Sequence, residues 1–140
     1  MSFASHATPA RPLAPLRLWG ARIMQGIVVL FLAFDGIYKL IASPEAADAT
    51  VQLGYPAGVL TSLGALEMVL LLIYLVPRTA PIGAVLWTGY LGGAIATHVR
   101  VGNPLFSHVL FPIYVAVLLW GALYLRDRRV QALVQSAGSH

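Results

Sequence analysis

The sequence predicts an all-α protein, an antiparallel bundle of four transmembrane helices. Composition, hydropathy and charge placement together carry that expectation. Of 140 residues, 59% are hydrophobic and only 10% charged, against about 25% charged in an ordinary soluble domain. The mean hydropathy is +0.79. The few charges lie mostly between long apolar stretches, each able to cross about 30 Å of hydrocarbon at about 1.5 Å per residue. Composition therefore excludes a soluble globule and a disordered chain. With no cysteine, it also excludes thiol chemistry carried by this chain alone. The net charge of +4 comes from basic residues flanking the apolar stretches, so it bears on topology, and no nucleic-acid partner is expected.

Residues 1–17 read as a flexible tail, because Pro9, Pro12 and Pro15 interrupt any helix there. The transmembrane domain is expected over 18–125. Its first helix runs from Leu18 to Ile41, with an uncharged centre from Ile23 to Phe34. Ser43, Pro44, Glu45 and Asp48 open a polar connection that ends at Gly54, Tyr55 and Pro56. The second helix is Ala57 to Val76, interrupted by one charge, Glu67. Pro77, Arg78 and Pro81 make a tight turn into the third helix, Pro81 to His98, in which Pro81 is tolerated near the first turn. The fourth helix, Leu105 to Leu125, contains Pro112 and should kink there. Residues 126–140 read as a basic tail.

Short connections make neighbouring helices antiparallel. Seven of the nine Lys and Arg then fall on one side, namely Arg11, Arg17, Arg22, Arg78, Arg126, Arg128 and Arg129, and only Lys39 and Arg100 on the other. The positive-inside rule places both termini in the cytoplasm. Gly89 and Gly93 give the third helix a small-residue face, suited to close packing within the bundle or to a homodimer.

Ionisable groups inside hydrocarbon are costly, so each is a candidate functional residue. Asp35 and Lys39 are spaced i,i+4 and can pair within one helix, with Tyr38 beside them. Glu67 lies ten residues beyond Ala57, about 15 Å deep by helix rise. At that depth Lys39 is several turns away. Glu67 is therefore expected to be uncharged, hydrogen-bonded by Gln25, Thr88, Tyr90 or Tyr114, and to form the floor of a pocket. His98 and His108 stand at the same end as Asp35, Lys39 and Arg100, whereas the opposite half of the bundle is nearly all aliphatic. A polar pocket opening outward follows, lined by aromatic and aliphatic residues. Two histidines with no third ligand at their depth do not make a secure site, so neither metal nor haem is expected.

The runs Phe34-Asp35-Gly36-Ile37-Tyr38-Lys39-Leu40, Leu53-Gly54-Tyr55-Pro56, Leu63-Gly64-Ala65-Leu66-Glu67 and Ala96-Thr97-His98-Val99-Arg100-Val101-Gly102-Asn103-Pro104 resemble the DoxX-like family of small four-helix membrane proteins. The resemblance covers about residues 18 to 125. It implies a multi-pass protein of the bacterial cytoplasmic (inner) membrane, with the family's polar positions at Lys39, Glu67 and His98. Some relatives are associated with quinone-coupled oxidation of sulfur compounds, others with oxidative stress or terminal oxidases. Asp35 lies outside the family pattern.

Three functions compete at this point. The first is a module that binds a lipophilic small molecule such as a quinone for a redox partner subunit. Its ligand-binding residues would be Lys39, Tyr38, Glu67, His98 and His108, with Lys39 and His98 donating to carbonyl oxygens. Lys39 would then matter for binding more than for folding. The second is a self-sufficient enzyme performing isomerisation, cyclisation or epoxide opening on an apolar substrate. Glu67 would be its proton donor and His98 or Asp35 its base. The third is an oligomeric transporter or scaffold.

Overall fold

The computed structural model describes residues 14–139. Six helices follow in order: α1 (Pro15–Leu40), α2 (Pro44–Gln52), α3 (Leu60–Leu75), α4 (Ala80–Arg100), α5 (Phe111–Arg126) and α6 (Arg128–Ala137). A tight turn at Ala57–Val59 leads into α3, and a π-helical turn at Leu105–Val109 precedes α5. There is no strand among the described residues. Four segments are long and apolar enough to cross a membrane: Pro15–Leu40, Ala57–Leu75, Ala80–Arg100 and Leu105–Arg126. The protein is a multi-pass integral membrane protein, as its sequence predicts.

Helix α1 packs on α3 and α5, and α4 packs on the same two, so consecutive spans are neighbours around a ring. Helix α1 buries Ala21, Val28, Leu32 and Gly36 along one stripe. Ile23, Ile27, Leu30, Phe34 and Ile37 are exposed, and they meet lipid, which is as apolar as they are. The core gathers Val28 and Leu32 of α1, Tyr74 of α3, Trp87 of α4, and Leu119 and Leu123 of α5. Tyr74 brings a hydroxyl into this core and satisfies it by donating to the Leu119 carbonyl at 2.9 Å.

Two glycines set the closest helix approaches. A Cβ on Gly64 would sit 2.6 Å from the Leu40 amide nitrogen, and one on Gly83 would sit 2.6 Å from Tyr74 Cα. The expected packing face at Gly89 and Gly93 is instead open, since a Cβ there, or on Gly92, meets nothing within 4 Å. The small residues that matter for packing are thus on other faces.

Several boundaries differ from the sequence reading. The expected tail lies outside the described residues up to residue 13, and Pro15 begins α1 instead of preventing it. Proline at the first helical position loses no intrahelical bond. The polar connection after α1 contains α2, started by Pro44 and capped by the Ser43 hydroxyl, which accepts from the Ala46 amide at 3.2 Å. Pro112 does not kink a continuous helix. The break comes earlier, at Leu110, and Pro112 sits in the first turn of α5. The region past Arg126 carries α6.

Asp127 caps α6 by accepting from the Arg129 amide at 2.9 Å. The Arg129 guanidinium returns to Asp127 Oδ2 at 2.8 Å and donates to the Pro77 carbonyl at 2.7 Å, fastening α6 to the α3–α4 turn. The side-chain hydrogen bond from Arg129 holds the Asp127 carboxyl below its ordinary value of 3.8. A depressed carboxyl stabilises above its unfolded value and loses that contribution as pH falls through the folded one. Asp127→Ala should therefore weaken α6 by about 0.5–2 kcal/mol at neutral pH and by progressively less in acid. Hydrogen exchange of the 128–137 amides, corrected for intrinsic rates, reads this directly; unchanged protection at neutral pH would contradict it.

Candidate functional site

Lys39 sits in the last turn of α1. Side chains on a helix lean toward its N-terminus, so the Lys39 stem runs back into the bundle instead of outward to water. Its Nζ donates to Asp35 Oδ2 at 2.6 Å, completing the i,i+4 pair that the spacing predicts. It also donates to Glu67 Oε1 and reaches the Tyr90 hydroxyl at 3.4 Å. Tyr90 donates its own proton to Glu67 Oε1. One ammonium thus bridges two carboxylates from two helices, and a tyrosine from a third helix closes the network.

The pairing of Lys39 with Glu67 corrects the expectation that they lie at different depths. Counting from Ala57 assumed that α3 begins level with the end of α1. The chain between them instead forms α2 and the turn at Ala57–Val59, and α3 packs so that Gly64 lies against Gly36, Lys39 and Leu40. Gly64 is four residues into α3, so the start of α3 overshoots the end of α1 by about one turn, or about 6 Å, before Gly64 comes level with it. Glu67, one turn further on, arrives at the level of Asp35 and Lys39. Gly36 makes room for it, since a Cβ there would be 3.3 Å from Glu67 Oε2. Glu67 is fully buried, and Oε2 has no hydrogen-bond partner among the described residues.

Next to this network is a cavity of about 490 Å³, enclosed by α1, α3, α4 and the start of α5, with α2 laid across one end. Most of its wall is apolar: Leu32, Leu63, Leu66, Trp87, Leu91 and Val115 are representative. Phe31 and Phe111 meet edge-to-face at 5.2 Å between α1 and α5. Polar side chains on the wall are Asp35, Lys39, Thr50, Tyr55, Tyr90, Thr97 and His98. Glu67 is not among them. It lies behind Lys39 and Tyr90, not on the floor where the sequence reading put it.

The remaining predicted site residues are divided. His98 is on the wall, its Nδ1 2.8 Å from Asn103 Nδ2. His108 is outside the wall; its ring centroid is 5.7 Å from that of His98, and its Nδ1 is 2.7 Å from Ser107 Oγ. Tyr38 points away and stacks on Phe34 at 4.3 Å. Among the described residues, no three His, Cys, Asp or Glu side chains gather into a metal-ligand set. Of the suggested partners for Glu67, Tyr90 is the one engaged. Thr88 donates to the Ala84 carbonyl, and Tyr114 to the Phe106 carbonyl.

The sequence reading missed the cover over the cavity. Helix α2 lies between Ala42, with φ 50°, and Gly54, with φ 83°, two left-handed turns that reverse the chain at either end. Arg100 holds it by donating to the Leu53 carbonyl at 2.7 Å, and Tyr55 meets Thr97 at 2.9 Å. The signal for the α4 wall was present: Tyr90, Ala94 and Thr97 recur at i, i+4 and i+7.

A family model described as the DoxX-like family matches residues 23–122. No curated protein and no solved structure matches the chain.

Proposed function

Because this chain belongs to the DoxX-like family and spans the membrane with four apolar helices, we propose that its cavity holds a lipophilic ring molecule of the quinone class on behalf of a redox partner protein. One observation carries this reading: a charge network anchored on the fully buried Glu67 presents Asp35 and Lys39 on the wall of an otherwise apolar cavity. Charges in hydrocarbon cost at least about 2.5–3.5 kcal/mol each, and small-molecule sites combine apolar walls with a few fixed polar groups. A volume of about 490 Å³ suits a substituted ring. The chain has no cysteine and so builds no thiolate-held cluster, and electron storage is assigned to the partner. Gly89 and Gly93 border the cavity and leave α4 open there, which is where that partner, or a second copy of the chain, would reach it.

Trp87 lies on the cavity wall, which makes tryptophan emission the assay. Titrating a decyl-substituted benzoquinone into the detergent-solubilised protein should give saturable quenching, and Ala94→Phe, which fills the cavity, should remove the saturable component. Linear, non-saturable quenching in the unmodified protein would sink the reading.

A second reading, an acid/base enzyme on an apolar substrate, draws on Asp35 and His98 both standing on the wall. Glu67 would not be its proton donor, being sealed behind Lys39 and Tyr90.

The proposal includes the bacterial cytoplasmic membrane, with both termini inside. Arg17, Arg22, Arg78, Arg126, Arg128 and Arg129 belong to the α6 end of the bundle, Lys39 and Arg100 to the α2 end, and cytoplasmic ends carry the positive excess. The cavity cover then faces outward. A phosphatase fused after His140 should be inactive; activity would reverse the topology.

A further inference from the structure

Hydrogen-bond accounting along the cavity wall names the chemistry of the ligand's head group. An ammonium carries three N–H donors. Lys39 has an acceptor for each, in Asp35 Oδ2, Glu67 Oε1 and the Tyr90 hydroxyl. The Tyr90 proton goes to Glu67. Thr50 donates to the Ala46 carbonyl at 2.7 Å, and Thr97 to the Gly93 carbonyl at 2.9 Å. With its own proton committed, Thr97 Oγ1 is the acceptor in its 2.9 Å contact with Tyr55, so the Tyr55 proton is used as well. Every lysine, tyrosine and threonine donor on the wall is therefore taken. The Trp87 indole N–H has no partner among the described residues, but that nitrogen is itself buried and presents no surface to a ligand in the cavity. His98 retains a ring nitrogen, but it lies eight residues along α4 from Tyr90, about 12 Å away by helix rise.

What the network leaves open is an acceptor. Asp35 Oδ1 takes no hydrogen bond among the described residues, and the Asp35 side chain is 40% exposed on the cavity wall. A ligand carbonyl placed there would face a carboxylate oxygen with no proton between them. A hydroxyl placed there would complete the site.

We infer that the cavity binds its ligand as a hydrogen-bond donor, a phenol or hydroquinone hydroxyl given to Asp35 Oδ1, and not as a quinone carbonyl accepting from Lys39. This rests on the cavity being a ligand site, and it selects the reduced member of the quinone couple. A site built to bond a hydroxyl rejects the analogue that lacks it.

The test is anaerobic calorimetry on the detergent-solubilised protein with three probes: a decyl-substituted benzohydroquinone, its dimethyl ether, and the corresponding quinone. The hydroquinone should bind at least tenfold more tightly than either of the others. Asp35→Asn supplies an amide donor and should bring the quinone level with the hydroquinone or ahead of it. Equal or tighter binding of the quinone by the unmodified protein overturns the inference while leaving the cavity a quinone site, and the three-probe comparison needs no variant to fold. An unchanged probe ratio in a folded Asp35→Asn protein overturns it too. Binding of none of the three overturns the cavity reading itself, and this inference with it.

Discussion

Lys39→Met is expected to destabilise the folded bundle by about 3–5 kcal/mol, because it removes the cation from two carboxylates and leaves Glu67 buried with only a tyrosine for company. Glu67 is 0% exposed, so no water can take over from the ammonium. The double change Lys39→Met with Glu67→Leu should recover most of the loss, since it leaves no fully buried charge unpaired and strands only Asp35, whose side chain is 40% exposed. Unfolding in mixed micelles, followed by circular dichroism, separates the two. If Lys39→Met unfolds like the unmodified protein, Lys39 is not the partner of Glu67. On sequence alone Lys39 mattered for binding more than for folding, whereas its contacts with Asp35 and Glu67 give it a task in the fold.

The second large effect belongs to Gly83. A Cβ there would lie 2.6 Å from both the Tyr74 amide nitrogen and Tyr74 Cα, and backbone cannot step aside as a flexible side chain can. Gly83→Ala should cost about 1–3 kcal/mol through overpacking, and Gly83→Val more, by prising α4 from α3. Gly93→Ala supplies the contrast. Nothing lies within 4 Å of the added carbon, so the better helix propensity of alanine should leave stability unchanged or raise it by up to about 1 kcal/mol. The same unfolding assay serves both, and equal losses at Gly83 and Gly93 would refute this picture of helix packing.

These two sites also mark how far the residues could be read in advance. The four spans were legible because hydrocarbon demands long uncharged stretches, and Ile23–Phe34 or Leu105–Leu125 can satisfy little else. Helices α2 and α6 carry too little apolar surface to announce themselves that way. Their signals were local: Ser43 before Pro44, and Asp127 before a polar run that still buries Val130. The pairing of Asp35 with Lys39 was legible because both lie on one helix, where spacing fixes distance. That of Lys39 with Glu67 was not, because relative depth depends on how far α3 overshoots α1. Contacts at Gly36 and Gly64 decide that, and a sequence shows the glycines without showing what they face. Tyr38 departs from its expected place in the pocket for a similar reason, whereas Tyr90 was among the partners named for Glu67. Periodicity places a residue on a face, while the neighbours choose which face turns inward.

The triad of charges also orders the protein's biogenesis. Helix α1 carries Asp35 and Lys39 four residues apart and hydrogen-bonded, so it can leave the translocation machinery for lipid with its charges already matched. Helix α3 has no such internal match: its one acid finds a cation only on another helix. Its apolar residues carry it into hydrocarbon, and an α1 already waiting there supplies the cation that its acid lacks.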